Sequence, residues 1–145
     1  MTEFTSPIKQ LPYSSATVFN VLSDLNNLEK VKDQIPHDKI QDFSFDSDSC
    51  TFNINPVGSV RFSVVEREPG KTIKFKANQS PVDVFLWIQI KEVNPQDTRM
   101  KLTVKASLNP FLKPMLSAPI QNGLDKIADV LAAVPYETLG EKYKN

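Results

Sequence analysis

The sequence PFLKPMLSAPIQNGLDKIADVLAAV, residues 110–134, is the stretch that decides the fold. Its apolar residues recur at steps of three and four, as expected for one stripe of a helix: Leu112, Leu116, Ile120, Leu124, Ile127, Leu131 and Val134. Polar residues such as Asn122 and Lys126 fall away from that stripe. The pattern therefore predicts a long amphipathic helix near the C-terminus, which lays its apolar side on a large apolar surface.

Two prolines and one glycine interrupt this helical pattern. Pro114 and Pro119 lie in its first half, and a proline inside a helix removes a backbone hydrogen bond. The helix therefore either begins near Ser117, which would act as an N-cap, or runs from about Phe111 with a bend. Gly123 lies beside the apolar stripe, where it leaves room for close packing against a strand or for a cavity wall.

Length and composition exclude several classes of protein. A chain of 145 residues fits one domain, residues 1–145. Seventeen basic residues balance 17 acidic ones, so we expect no nucleic-acid partner. No apolar run approaches about 18 residues and no signal peptide is visible, so we expect no membrane insertion. Cys50 is the only cysteine, which excludes an internal disulfide and suits a reducing cytoplasm.

Upstream of the long helix, the hydrophobic period distinguishes short helices from strands. Alternation over residues 4–8 predicts a first strand, and Ser14 or Ser15 offers an N-cap oxygen for a short helix. Helical spacing over residues 28–35 predicts a second short helix that ends at Pro36. From Lys39 the period becomes two, and short turns divide the chain up to Leu108 into six strands.

This order of elements predicts an α+β fold: a seven-stranded curved antiparallel sheet, two short helices and one long C-terminal helix. One polar face on most strands means that the other face is packed, and the long helix has to cover it. A single helix about 10 Å wide does not fill the concave side of such a sheet. We therefore expect a ligand cavity between the sheet and the helix.

On these elements the chain resembles the START-like, or helix-grip, superfamily (SRPBCC). This superfamily includes the birch pollen allergen family, START lipid-transfer domains and bacterial polyketide cyclase-like proteins. The resemblance rests on the order of elements and on the end of the terminal helix, GLDKIADVL at residues 123–131. It implies a space beneath the helix that holds lipids, sterols, polyketides or plant hormones. The four glycines are not clustered, unlike the glycine-rich loop of the pollen-allergen branch, which argues against phosphate or nucleotide binding.

The sequence shows no cluster of catalytic or metal-binding residues. His37 is the only histidine, so no metal site is predicted, and no cofactor either. No serine occupies a Gly-x-Ser-x-Gly turn. The strand carboxylates, such as Asp42 and Glu66, fall mostly on the solvent side or near turns, where charges are ordinarily hydrated. The polar residues expected on the inner face are Ser6, Cys50 and Gln79.

The predicted ligand-binding residues are apolar positions of the inner sheet face and the helix, with two polar residues near the start of the helix. They are Phe62, Phe75, Leu86, Ile88, Leu102, Val104, Lys113, Ser117, Ile120, Gly123, Leu124 and Ile127. Lys113 and Ser117 either meet a carboxylate or hydroxyl of the ligand, or Lys113 simply extends into water. The alternative to a cavity is that the apolar side chains meet in a filled core.

The sequence is compatible with three functions. The absence of a catalytic cluster favours a non-catalytic carrier or sensor of a small hydrophobic molecule over an enzyme. An enzyme of the polyketide cyclase or aromatase type is the alternative implied by the resemblance. The third is a protein-interaction module or homodimer, because Phe85 and Trp87 fall on the outer side of their strand.

Overall fold

The computed structural model describes residues 1–30, 44–54, 58–78 and 82–137. Their backbone forms strands and helices in the following order: β1 (Thr2–Thr5), β2 (Lys9–Leu11), α1 (Ser15–Leu22), α2 (Asn26–Lys30), β3 (Ser44–Phe45), β4 (Ser49–Ile54), β5 (Gly58–Glu68), β6 (Thr72–Ala77), β7 (Val84–Asn94), β8 (Asp97–Ala106) and α3 (Leu112–Ala132).

The strands form one antiparallel sheet in the order β1-β8-β7-β6-β5-β4-β3, and β2 also pairs with β8. This arrangement confirms the predicted α+β helix-grip fold. The described sheet has eight strands rather than seven, because β1 ends at Thr5 and a further short strand, β2, follows the predicted span of residues 4–8. The chain leaves the ladder around Pro7, and Ile8, which alternation with Phe4 and Ser6 predicts on the inner face, is instead 64% exposed. Ser6 bridges the gap, because its backbone N–H donates to the carbonyl oxygen of Leu102 at 2.9 Å.

The first short helix begins where its cap was predicted. The Oγ of Ser14 accepts a hydrogen bond from the backbone N–H of Thr17 at 3.2 Å, which satisfies one free donor at the start of α1. The second short helix starts at Asn26 rather than at residue 28. The remainder of its predicted span, together with Pro36, His37, Lys39, Asp42, Gln79 and the end of the chain beyond residue 137, lies outside the described residues.

The structure decides between the two predicted starts of the long helix, since α3 begins at Leu112. Asn109 supports this start, because its Oδ1 accepts hydrogen bonds from the backbone N–H groups of Phe111 and Leu112, both at 2.9 Å. Pro114 lies in the first turn, where its missing N–H group would have no helical partner in any case. Pro119 lies inside the helix and leaves one carbonyl without its usual donor.

The long helix crosses the concave face of the sheet. Its backbone approaches β1, β2 and β8 at one side and β4 at the other. Two side-chain contacts hold it at the first side: Lys9 Nζ meets Asp129 Oδ1 at 2.5 Å, and Gln121 Nε2 donates to the carbonyl oxygen of Thr5 at 2.9 Å. The helix therefore bridges the middle strands of the sheet from supports on both sides.

Candidate functional site

Strand pairing brings the predicted sheet residues onto one inner face. Leu86 on β7 stands between Phe75 on β6 and Val104 on β8, and Ile88 stands beside Leu102. All six predicted positions of the sheet are at most 6% exposed: Phe62, Phe75, Leu86, Ile88, Leu102 and Val104. They form a continuous apolar floor on the side that α3 covers.

The helix side of the site changes character along α3. Leu124 and Ile127 are 2% and 5% exposed, and Gly123 is buried with them. Ile120, one turn earlier, packs against the core but is only partly buried, and Leu116 is also partly exposed. The second half of α3 is thus packed against the sheet, whereas the first half leaves apolar surface accessible.

The sheet leaves apolar surface accessible at this same end. Val60, Val84 and Leu108 face the core but are only partly buried. Val84 begins β7 opposite Ala106, and Leu108 follows two residues later on the path into α3. We call the six partly buried residues at this end the mouth: Val60, Val84, Leu108, Leu112, Leu116 and Ile120. An open groove of about 460 Å³, lined by Met1, Thr2, Ser107, Leu108 and Asn109, adjoins the mouth at Leu108.

Five of the six mouth residues were absent from the predicted site, although the sequence carries their signal. Val84 lies two residues before Leu86, Val60 lies two before Phe62, and Leu108 extends the alternation of β8. Leu112 and Leu116 belong to the helical stripe, and Ile120 is the one mouth residue that was predicted. The spacing of the apolar residues is enough to place all of them on the inner face, but it does not show which part of that face α3 covers.

The two polar residues predicted near the start of α3 lie close together. Lys113 is exposed, and Ser117 is partly buried one turn further along. The Oγ of Ser117 donates a hydrogen bond to the carbonyl oxygen of Lys113 at 2.5 Å, so the hydroxyl proton is already used while its lone pairs stay available. In the described part of the chain Lys113 has no acidic partner, which leaves its ammonium group open to an anionic group.

Three polar groups of the described residues, those of Tyr13, Lys113 and Cys50, lie apart from one another. Tyr13 packs edge-on against Tyr136, with ring centroids 5.7 Å apart, just beyond the end of α3. Lys113 lies at the other end of that helix, about 30 Å away at 1.5 Å per residue. Cys50 is buried, and burial raises the pKa of its thiol to about 12. These groups therefore do not converge on one point.

Other polar atoms inside the described structure are paired within the protein. Among the described residues, each buried side-chain nitrogen or oxygen has a hydrogen-bond partner. Ser6, for example, accepts from the backbone N–H of Leu102 at 2.9 Å and donates to the carbonyl oxygen of Pro7. No cluster of three or more potential metal ligands occurs in residues 1–30, 44–54, 58–78 and 82–137. Nor does any helix of these residues have the length and apolarity that crossing a bilayer requires.

Comparison with known proteins shows likeness in structure rather than in sequence. No protein-family model and no curated protein matches the chain. Norcoclaurine synthase from Thalictrum flavum, solved with dopamine and hydroxybenzaldehyde, superposes with a TM-score of 0.71 at 12% identity, over 99% of this chain and 88% of that one. A START superfamily protein from Mycobacterium smegmatis superposes with a TM-score of 0.65 at 14% identity, over 94% and 98% of the two chains.

A third structure, from Thermobifida fusca, gives a TM-score of 0.64 at 12% identity and covers 96% of this chain and 95% of its own. The three likenesses extend over nearly the full length of the chain. The protein therefore has the START-like helix-grip fold.

Proposed function

We propose that this protein binds a small hydrophobic molecule between the concave face of the sheet and α3, without catalysing a reaction. The observation that carries this proposal is the mouth, where partly exposed apolar side chains of the sheet and of the helix lie at the same end. Exposing such residues together costs free energy, which a hydrophobic ligand recovers by covering them. We also propose that residues 1–145 form one domain. The protein would reside in the cytoplasm, where reducing conditions suit the lone Cys50.

The chemistry of the site defines the class of ligand. The floor and the mouth consist of aliphatic and aromatic side chains, and the buried polar atoms of the described residues are already paired. The body of the ligand is therefore apolar, as in a lipid, a sterol or a polyketide-like molecule. Lys113 and the lone pairs of Ser117 lie near the mouth and suit one polar end, a carboxylate or a hydroxyl.

The enzyme alternative, of polyketide cyclase or aromatase type, has less support. Norcoclaurine synthase is an enzyme with this fold, but at 12% identity the likeness concerns the fold alone. General acid–base catalysis needs a group within hydrogen-bonding reach of the reacting atoms. Tyr13 and Lys113 carry groups that could serve in such a step, but they lie at opposite ends of α3.

A ligand-displacement experiment with two matched variants tests the proposal. Purified protein is titrated with a fluorescent fatty-acid probe, which is then displaced by a panel of fatty acids and sterols, and native mass spectrometry identifies any co-purifying lipid. Ile120→Trp fills the mouth, whereas Met115→Trp adds the same ring on the opposite side of the same helix, where Met115 is 67% exposed. We expect Ile120→Trp to weaken probe binding about tenfold or more, and Met115→Trp to leave it unchanged.

Two results would contradict the proposal. One is that no lipid co-purifies and no member of the panel displaces the probe. The other is that the two tryptophan variants bind the probe equally well, because the binding site would then not lie at the mouth.

A further inference from the structure

A second feature lies on the outer face of the sheet, on the side opposite α3. Strand pairing places Trp87 beside Lys74, and Phe85 between Lys76 and Lys105. The two rings are neighbours, with centroids 6.0 Å apart, and both are partly exposed. We call these five residues the lysine–aromatic cluster.

The ammonium groups of the lysine–aromatic cluster lie over the rings. Lys74 Nζ is 4.9 Å from the centroid of Phe85 and 5.3 Å from that of Trp87. Lys76 Nζ lies 5.8 Å from the Phe85 ring, and Lys105 Nζ lies 5.5 Å from the Trp87 ring. Three positive charges therefore share two aromatic rings, which hold the cations by their negative faces.

Acidic side chains of the protein neutralise this charge only in part. Lys105 meets Glu3 at 3.7 Å, and both side chains are about half exposed. Lys74 and Lys76, in contrast, form no ion pair within the part of the chain that the structure describes. Like charges held this close repel one another, so the fold gains little from the arrangement. An anionic partner would remove that repulsion.

We propose that the lysine–aromatic cluster binds an acidic peptide segment in an extended conformation. Lys74 and Lys76 are two residues apart on β6, so their positions repeat at about 6.8 Å along the sheet. Carboxylates at alternate positions of an extended peptide have the same spacing and face the same way. The methylene groups of the acidic side chains then cover the exposed edges of Phe85 and Trp87.

The surroundings of the cluster define where the segment lies. A groove of about 200 Å³ beside Trp87 is lined in part by Glu66 and Glu68, whose carboxylates repel an acidic chain. Both glutamates are on β5, whereas the Nζ of Lys74 lies over the rings of β7, so the segment runs along β6 on its β7 side, over Lys74 and Lys76. Attraction to the lysines and repulsion from the two glutamates together fix the position of the acidic segment on the sheet.

The same contacts favour a peptide over the other possible partners. Single-stranded nucleic acid binds by stacking bases on aromatic faces, but the ammonium groups already lie over these faces. A second copy related by a two-fold axis through the cluster would bring one set of lysines against another. A homodimer through Phe85 and Trp87 stays a prediction, and it is one outcome of the experiment below.

Trp87 provides the measurement, because it is the only tryptophan of the protein and belongs to the cluster. Its emission is followed during titration with a Ser-Glu-Ser-Glu-Ser-Glu peptide, and the matched control peptide carries Gln in place of each Glu. We expect the acidic peptide alone to change the emission, and the effect to weaken as salt is added. Lys76→Glu lowers the affinity about tenfold or more, whereas Lys126→Glu, the same charge change on the exposed side of α3, leaves it unchanged.

Four results would overturn the proposal. They are an unchanged emission at millimolar peptide, equal binding of the Gln peptide, tighter binding of a single-stranded oligonucleotide of roughly ten nucleotides, and a concentration-dependent emission together with dimer-sized light scattering. Probe binding at the mouth is measured in the same variants and should not change. A loss of probe binding would mean that Lys76→Glu disturbs the fold. The test is then made with Lys76→Gln, which removes the positive charge without introducing a negative one.

Discussion

Truncating Ile120 and Leu124 to alanine distinguishes a hollow from a filled core. The two residues lie one turn apart on the apolar stripe of α3, and their side chains are isomers. Ile120→Ala and Leu124→Ala therefore remove the same number of carbon atoms. Leu124 is 2% exposed, so its truncation should cost about 2–5 kcal/mol of unfolding free energy, as for other buried leucines. Ile120 is partly exposed at the mouth, and we expect a cost of about 1 kcal/mol.

Urea unfolding, followed by circular dichroism, measures both costs on protein freed of ligand. Alanine is the better helix former at both positions, but this contribution is at most about 0.5 kcal/mol and does not hide the difference. Thermal unfolding gives a second estimate, since 1 kcal/mol corresponds to about 2–4 °C for a chain near this length. Equal losses above about 2 kcal/mol at the two positions would mean that Ile120 is packed as tightly as Leu124 and that the core is filled at the mouth.

Three other properties follow from the structure. Burial raises the pKa of the Cys50 thiol to about 12, so Ellman's reagent at pH 8 should react far more slowly with the folded protein than with unfolded protein, and equal rates would contradict this. The Ser49 hydroxyl donates a hydrogen bond to Asp46 at 2.6 Å and is the main cause of the lowered pKa of that carboxyl group. The ionised carboxylate therefore stabilises the folded state above the pKa of unfolded Asp46, and this stabilisation is lost as pH falls through the lowered pKa. Ser49→Ala should therefore raise that pKa in an NMR titration and reduce the difference in stability between pH 7 and pH 3, whereas an unshifted carboxyl would argue against the hydrogen bond. Tyr136→Phe should cost about 1–3 kcal/mol in urea unfolding, because the buried hydroxyl donates to the carbonyl oxygen of Leu131 at 2.6 Å, and a cost near zero would mean that water replaces it.

The fold was predictable from the sequence because the apolar residues recur at regular spacing over long segments. The alternation of β7, with Leu86 and Ile88 inward and Trp87 outward, is found in the structure. The break in the first strand was missed because the alternation continues through Ser6 and Ile8, although Pro7 lacks the N–H group that the ladder needs. Here the covalent chemistry of one residue outweighed the pattern.

The position of the mouth was not predictable from period alone. Alternation places Val84 and Leu86 on the same face, yet Leu86 is 2% exposed and Val84 only partly buried. The difference depends on where α3 starts relative to the ends of the strands. That start was itself open, because Pro114 is tolerated in a first turn and Ser117 is an acceptable cap. Long-range geometry, rather than local sequence, decides which inner residues stay accessible.

The most direct test of ligand binding under α3 is an NMR titration of isotopically labelled protein with a fatty acid, read from backbone amide shifts. We expect the largest shifts at mouth residues such as Val84, Leu108 and Ile120, and small ones on the outer face at Trp87 and on the solvent side of α3 at Met115. Shifts confined to Trp87 or Met115, or none at saturating fatty acid, would contradict it.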